Sequence, residues 1–178
     1  MRKLRNEELD RKSVADFKSA EKLPLILVLD NVRSFHNVGS VFRTADSFLV
    51  EGIYLCGITA KPPHRDINKT ALGATESVSW EYFADTEDAI KRLKRDNYEL
   101  LAVEQTEGSI ALNDFFPDAN KKYALIFGHE VNGVHQNVIN ACAKTLEIPQ
   151  IGTKHSLNIA VSVGVVVWDI YAKIISNK

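Results

Sequence analysis

Five short apolar runs, separated by stretches with helical spacing, constrain the fold of this chain more than any other feature of its sequence. Each run has strand length and does not alternate with polar residues, as in strands covered on both faces of a parallel sheet. The runs occupy residues 25–29, 53–56, 100–103, 124–127 and 145–148. Helices are predicted at residues 38–48, 85–97, 137–143 and 157–175, the last of them buried. The alternation predicts an α/β fold with a mostly parallel sheet flanked by helices.

Two parts of the chain do not follow this alternation. Residues 1–22 hold seven basic and five acidic side chains, which predict a charged N-terminal helix or arm. The remaining residues, 23–178, are predicted to form the folded domain. Within it, residues 57–79 lack periodicity and predict a long loop, a kind of segment that is often functional.

The composition narrows the class of protein and of partner. Hydrophobic residues make up 45% and charged residues 25%, as in globular proteins. The net charge is -1, so a nucleic-acid partner must be bound by a local basic patch. No apolar stretch follows Met1, and the longest apolar run, residues 159–168, is too short to span a bilayer. We therefore expect a cytoplasmic protein without a membrane segment.

The common cofactor and metal motifs are missing from the sequence. No GxGxxG follows a predicted strand, and the glycine spacing of residues 128–133 lacks the Lys-Ser or Lys-Thr of a phosphate-binding loop. His129 and Glu130 begin like a zinc-protease motif, but Gly133 stands where the second histidine is required. The sequence therefore predicts no metal site.

Three polar clusters follow predicted strands directly, at residues 30–43, 127–130 and 148–158. Ligands of parallel α/β sheets bind beyond the carboxyl ends of the strands, so the clusters predict a ligand site. In the first cluster Asn37 is predicted to cap a helix, and in the third Ser156 is predicted to cap the last helix. At this point ordinary helix caps remain an open alternative.

The three clusters resemble motifs one, two and three of the SpoU/TrmH branch of the SPOUT RNA methyltransferases. Motif one is similar to NVGSVFRTAD at residues 37–46, and motif two to FGHEVNGV at residues 127–134. Motif three is similar to IPQIGTKHSLNIAVSVG at residues 148–164. The resemblance covers roughly residues 23–171, and the segment KTALGA at residues 69–74 also has a counterpart in the family.

This resemblance implies a fold, a cofactor and a reaction. The fold is an α/β knot, in which the C-terminal segment forms a deep trefoil knot, an exception to the general rarity of knots. The cofactor is S-adenosyl-L-methionine, and the working unit is a homodimer whose sites are completed by motif one of the other subunit. The reaction is methylation of a ribose 2'-hydroxyl in structured RNA, with tRNA favoured over rRNA and no DNA partner expected.

The resemblance also assigns residues to the site. The implied catalytic set is Asn37, Arg43, Glu130, Ser156 and Asn158. The implied cofactor-binding set is Phe127, Gly128, Ile148, Pro149, Gly152, Ser156 and Leu157, to which Glu104 is added from its position after a strand. Local charge suggests RNA contacts from Arg33, Lys61, Arg65, Lys69 and Lys154.

The chemistry of the implied set favours positioning over proton abstraction by arginine. A guanidinium loses its proton only above about pH 12, so we expect Arg43 to bind the phosphate beside the target ribose.

Two other functions stay open: a catalytically silent RNA-binding or assembly protein, and a methyltransferase that acts on a base or a protein. Cofactor binding separates the first from the enzyme, and the position of the transferred methyl separates the second.

Overall fold

The apolar runs form the strands of one parallel sheet, which confirms the predicted α/β class. The computed structural model describes residues 1–176, with the side chain of Asn6 left aside. Within that range the strands are β1 (Leu23–Asp30), β2 (Val50–Cys56), β3 (Trp80–Phe83), β4 (Tyr98–Val103), β5 (Ile110–Ala111), β6 (Lys122–Phe127) and β7 (Lys144–Glu147). They pair in the order β3-β2-β1-β6-β4-β7-β5, and every pair is parallel.

The helices lie on both faces of this sheet. In the described part of the chain they are α1 (Val14–Ser19), α2 (Phe35–Ser47), α3 (Arg65–Ala71), α4 (Ala74–Ser77), α5 (Thr86–Arg95), α6 (Gln136–Ala141) and α7 (Ile159–Ser176). Short 3-10 turns occupy Asn6–Glu8 and Leu112–Asp114. The four predicted helices are confirmed, with ends that differ by a few residues, because terminal turns are poorly marked in sequence.

Burial on both faces explains why the strands read as continuous apolar runs. On β1, Leu25 and Leu27 face the core that contains α2 and α7, whereas Ile26 and Val28 face the core under α5 and α6. Because successive strand residues point to opposite faces, both sets must be apolar. The two cores together hold the carboxyl ends of β1, β4, β6 and β7 in fixed positions.

The prediction of a loop at residues 57–79 is wrong from residue 65 to residue 77, where the chain forms α3 and α4. α3 begins after His64, whose Nδ1 accepts a hydrogen bond from the Asp66 N–H at 3.2 Å. Each helix is shorter than the window over which helical periodicity can be recognised. The prediction also missed β3 and β5, because β3 has exposed side chains and β5 has only two residues.

α7 is the most apolar helix of the fold and belongs to its core. Its 18 residues have a mean hydropathy of 1.7, so length and composition alone would also suit a membrane span. However, Val163, Val166, Val167 and Ile170 are completely buried against the sheet and α2. The predicted C-terminal helix is therefore confirmed, and it is buried on one face only. Its burial fixes the loop that precedes it, residues 148–158, next to the ends of the central strands.

Candidate functional site

A cleft of about 500 Å³ opens at the carboxyl ends of β4, β6 and β7. Its walls come from residues that follow these strands and from the loop before α7. Of the predicted catalytic and cofactor-binding residues, those that line the cleft are Glu104, Phe127, Gly128, Glu130, Ile148, Ser156, Leu157 and Asn158. Among the described residues, the predicted members outside its walls are Asn37, Arg43, Pro149 and Gly152. The site thus forms where parallel sheets bind ligands.

The carboxylate of Glu130 is bound to the chain that leads into α2. Its Oε2 accepts from the Arg33 N–H at 3.0 Å, and its Oε1 accepts from the Ser34 N–H at 2.9 Å. The Asn37 amide donates to the same Oε1 at 3.2 Å. Partial burial acts to raise the pKa of Glu130, but these hydrogen bonds outweigh it, and the pKa lies below its usual range. Glu130 is therefore ionised at neutral pH, and its carboxylate links the turn after β6 to the start of α2.

The predicted helix caps Asn37 and Ser156 are both wrong. α2 is capped by Ser34, whose Oγ accepts from the Asn37 N–H at 3.3 Å. At the start of α7, Asn158 Oδ1 accepts from the Ala160 N–H at 2.9 Å. Ser and Asn are both favoured at helix N-termini, so the sequence could not distinguish between neighbouring candidates. The amide of Asn158 then donates to Asn37 Oδ1 at 3.2 Å, which joins the two helix starts.

Two glycines allow the turn after β6 to lie close to Glu104. A Cβ on Gly128 would lie 2.1 Å from the carbonyl carbon of Gly133, and a Cβ on Gly133 would lie 2.2 Å from Glu104 Oε2. In this arrangement Glu104 accepts from the N–H groups of Val134 and Gln105, at 3.0 and 2.9 Å. Each carboxylate oxygen has a second lone pair, so Glu104 can still accept a hydrogen bond from a ligand.

Arg43 lies outside the cleft, on the exposed side of α2. It lines a separate groove of about 450 Å³ together with Phe48, Lys69 and Gly164. Within residues 1–176, no hydrogen bond or ion pair is made by its guanidinium. The structure therefore does not bring Arg43 together with Glu130 and Asn158 in one cleft wall, and it leaves the guanidinium available to a ligand.

The predicted RNA-contacting residues differ in how strongly they are engaged. Lys69 Nζ pairs with Asp66 Oδ1 at 2.7 Å, and Lys61 Nζ lies 3.9 Å from the ring centroid of Tyr82. Among these five residues, Arg33, Arg65 and Lys154 are exposed and form neither an ion pair nor a ring contact with any described residue. These three are the cations best placed to meet a polyanion.

Sequence reasoning missed several polar residues of the cleft, among them Gln105 and His129. Gln105 Nε2 donates to the His155 carbonyl at 3.0 Å and so ties the loop after β4 to the loop before α7. The available sequence signal is its position two residues after the end of β4. His129 Nδ1 accepts from the Val131 N–H at 3.0 Å, a contact that depends on turn geometry and has no sequence signal. In the described chain, no group of three His, Cys, Asp or Glu side chains could hold a metal ion.

The chain matches a family model and several curated relatives. The model described as the SpoU rRNA Methylase family matches residues 24–168. A Staphylococcus saprophyticus protein assigned to the TrmH family of tRNA/rRNA methyltransferases is 27% identical over 160 residues, which cover 90% of this chain and 63% of that protein. The 23S rRNA (guanosine-2'-O-)-methyltransferase RlmB of Neisseria meningitidis is 27% identical over 143 residues, which cover 80% of this chain and 56% of that protein.

A solved structure shares the fold. The crystal structure of an AdoMet-bound rRNA methyltransferase from Sinorhizobium meliloti aligns with a TM-score of 0.79 and 26% sequence identity. The alignment covers 85% of this chain and 57% of that one. The chain thus spans less than two thirds of the length of the curated relatives named above.

Proposed function

The chain belongs to the SpoU rRNA methylase family, and on that premise we propose that it transfers a methyl group from S-adenosyl-L-methionine to a ribose 2'-hydroxyl of structured RNA. One observation carries the proposal. The three segments similar to the family motifs, far apart in sequence, are joined by the hydrogen bonds of Asn37, Glu130 and Asn158 beside a cleft of small-molecule size.

The cleft suits S-adenosyl-L-methionine in size and chemistry. Its volume of about 500 Å³ is in the range of small-molecule sites. Ile148 and Leu157 offer apolar surface for an adenine ring, while Glu104 offers carboxylate oxygens for ribose hydroxyls. When bound, the cofactor supplies a methyl group already activated by its sulfonium. The chain's own task is then to bind and orient the cofactor and the ribose.

The residues of the chain divide this task between them. Glu130 and Asn158 hold the cleft walls in place, because their polar atoms are engaged with neighbouring segments. Ser156 lines the cleft, and no hydrogen bond to another described residue occupies its hydroxyl. It is therefore available to the nucleotide. Arg43 binds the phosphate beside the target ribose and orients the 2'-hydroxyl, since a guanidinium stays protonated at neutral pH. As the ribose oxygen takes the methyl group, the hydroxyl proton passes to solvent by way of that phosphate, and the sulfonium is left as a neutral thioether.

The outer face of α7 supports a homodimer. Val161, Val165 and Trp168 are 52%, 39% and 56% exposed and follow one another at helical spacing. Trp168 also packs on Phe48, which lines the Arg43 groove. A second copy that covers this apolar stripe would lie next to Arg43. In the proposed dimer, Arg43 of each subunit then serves the cleft of its partner.

We also infer that residues 148–158 take part in the α/β knot of the family. The observation in favour is the proximity of this segment to loops from earlier in the chain. His155 accepts from Gln105, and Ser156 lines the same cleft as Gly128. A knot would hold these loops together without a covalent cross-link.

Methyl transfer from labelled S-adenosyl-L-methionine to separate tRNA and rRNA fractions tests the proposed reaction. We expect tRNA ahead of rRNA, whereas the Neisseria relative is named for 23S rRNA, so both fractions are required. We expect label at a ribose 2'-oxygen in one fraction. Arg43→Ala should lower kcat/KM by roughly 100-fold or more, as when a charge-stabilising donor is removed. Arg95→Ala, on the exposed side of α5, is the matched control and should have no effect.

The outcomes separate the candidate functions. Label on a base or on protein would contradict methylation of the ribose, but the protein would still be a methyltransferase. Failure to bind the cofactor at all would contradict the proposal that the protein is an enzyme. A mixing experiment tests whether Arg43 acts on the cleft of the partner subunit. Arg43→Ala protein is mixed with Leu157→Arg protein, in which the new side chain crowds the cleft. A mixed dimer has one intact cleft facing one intact Arg43 and should regain activity, whereas no recovery would mean that Arg43 serves its own subunit.

A further inference from the structure

Two aromatic rings stack on the surface beside the cleft, and the proposed methylation does not use them. Phe35 and His64 have ring centroids 4.0 Å apart and ring planes 18° apart. Phe35 begins α2 directly after Ser34, whose N–H binds the cleft residue Glu130. Despite the stack, 38% of Phe35 remains exposed. A large apolar ring at this position therefore presents surface to solvent within one residue of the site.

The pair is held rigidly. His64 caps α3 by accepting from the Asp66 N–H, which fixes the plane of its ring. α2 and α3 are in close contact behind the rings, because a Cβ on Gly39 would lie 2.2 Å from the Ile67 carbonyl oxygen. Thr70 Oγ1 also donates to the His36 carbonyl at 3.0 Å. A ring that is already ordered loses little side-chain freedom when a ligand stacks on it.

The charges around the pair suit a polyanion that carries flat rings. Arg33 precedes Phe35 by two residues, and Arg65 follows His64 directly. Both arginines are exposed, and neither forms an ion pair with a described residue. Of the carboxylates nearby, Asp66 is paired with Lys69, and Glu130 accepts hydrogen bonds from the N–H groups of Arg33 and Ser34. Stacked aromatic rings between free cations are the arrangement by which proteins bind single-stranded nucleic acid.

We propose that Phe35 and His64 form a stacking platform for one unpaired base of the RNA, with Arg33 and Arg65 contacting the flanking phosphates. The inference rests on the proposed function, since it takes RNA as the substrate. A base stacked in a duplex has no free face, so the platform selects loops, bulges or strand ends. Because every base has a π-face, the platform adds affinity without choosing the sequence. It binds ground state and transition state alike and lowers KM without changing kcat.

Binding without cofactor tests the platform separately from catalysis. The probes are a 12-nucleotide single-stranded RNA and an abasic ribose-phosphate oligomer of the same length. Phe35→Leu keeps an apolar side chain but removes the π-face, and it should weaken binding of the base-bearing oligomer about tenfold. Binding of the abasic oligomer should not change. Phe35→Trp should retain the wild-type affinity, and Arg65→Gln should weaken both oligomers equally.

A second variant addresses the ring behind Phe35. His64→Asn keeps an acceptor for the Asp66 N–H and removes the imidazole, so it should weaken the base-bearing oligomer less than Phe35→Leu does. Equal affinity of Phe35→Leu and wild type for the base-bearing oligomer would overturn the platform. An equal loss for both oligomers would also overturn it, because the ring would then act through the phosphate contacts. Failure of the methylation itself is seen independently, as wild-type protein that transfers no label to RNA.

Discussion

The side-chain amide of Asn158 donates to Asn37 Oδ1 at 3.2 Å, and the amide of Asn37 donates in turn to Glu130. One short side chain therefore bonds to residues 93 and 121 positions away. Through it the start of α2, the turn after β6 and the start of α7 have fixed relative positions. A change at any of the three residues should consequently affect the other two segments.

The first prediction concerns Asn158, which both caps α7 and binds Asn37. Asn158→Ala removes the acceptor for the Ala160 N–H and should lower the free energy of unfolding by about 1 kcal/mol. Urea denaturation measures this change. Methyl transfer to RNA should also fall, because the start of α2 loses its contact with α7.

A conservative variant separates the cap from the link. Asn158→Asp keeps the acceptor for the Ala160 N–H but presents an oxygen, not an N–H donor, to Asn37 Oδ1. We expect stability close to that of the wild type together with reduced methyl transfer. Wild-type transfer by Asn158→Asp would mean that the Asn37 contact has no part in the reaction.

The second prediction is a pH dependence due to Glu130. Its pKa is lowered in the folded protein, because the hydrogen bonds from Arg33, Ser34 and Asn37 outweigh the effect of partial burial. A lowered folded-state pKa stabilises the fold above the unfolded value, about 4.3, and this stabilisation is lost as pH falls through the folded pKa. The stability difference between wild type and Glu130→Gln should therefore shrink as the pH falls from 6 to 3.

Chemical denaturation at several pH values measures this difference. Glu107→Gln, at an exposed position in the loop after β4, makes the same change in charge without touching the site. Its stability difference from wild type should depend little on pH. The same pH dependence in both variants would assign the effect to net charge and not to the bonds of Glu130.

Much of this architecture is visible in the sequence, because burial on both faces leaves a continuous apolar run such as residues 25–29. The three polar segments could likewise be placed together, since parallel strands present their carboxyl ends at one edge. That Ser34 and not Asn37 caps α2 could not be predicted. Ser34 caps α2, and the Asn37 side chain binds Glu130, a partner that only the tertiary fold brings within reach.

The stacked pair shows the same limit. Phe35 follows a predicted strand, but His64 lies in a segment without periodicity, and their contact depends on α3 packing across α2. Short helices held by tertiary contacts carry little signal of their own. The sequence motif identifies Arg43 but does not show which surface its side chain faces. Its location in the groove depends on how the helices pack.

The third prediction concerns the reactivity of the two cysteines. Burial raises the pKa of the Cys142 thiol to about 11, and burial with the nearby Asp30 raises that of Cys56 to about 12. Only the thiolate reacts rapidly with alkylating reagents. Iodoacetamide should therefore label neither thiol quickly at pH 8, and labelling of the half-buried Cys142 should accelerate at pH 10. Mass spectrometry of timed samples measures this, and rapid labelling at pH 7 would contradict it.

The last prediction uses two glycines of the motif segments as a matched pair. A Cβ on Gly128 would lie 2.1 Å from the carbonyl carbon of Gly133, whereas a Cβ on Gly152 meets nothing within 4 Å. Gly128→Ala must displace backbone, so the turn that forms the cleft wall should open and cofactor affinity should fall at least tenfold. Gly152→Ala should bind the cofactor as the wild type does. Titration calorimetry with S-adenosyl-L-methionine compares them, and equal affinities would mean that the close approach of Gly128 to Gly133 is not needed for binding.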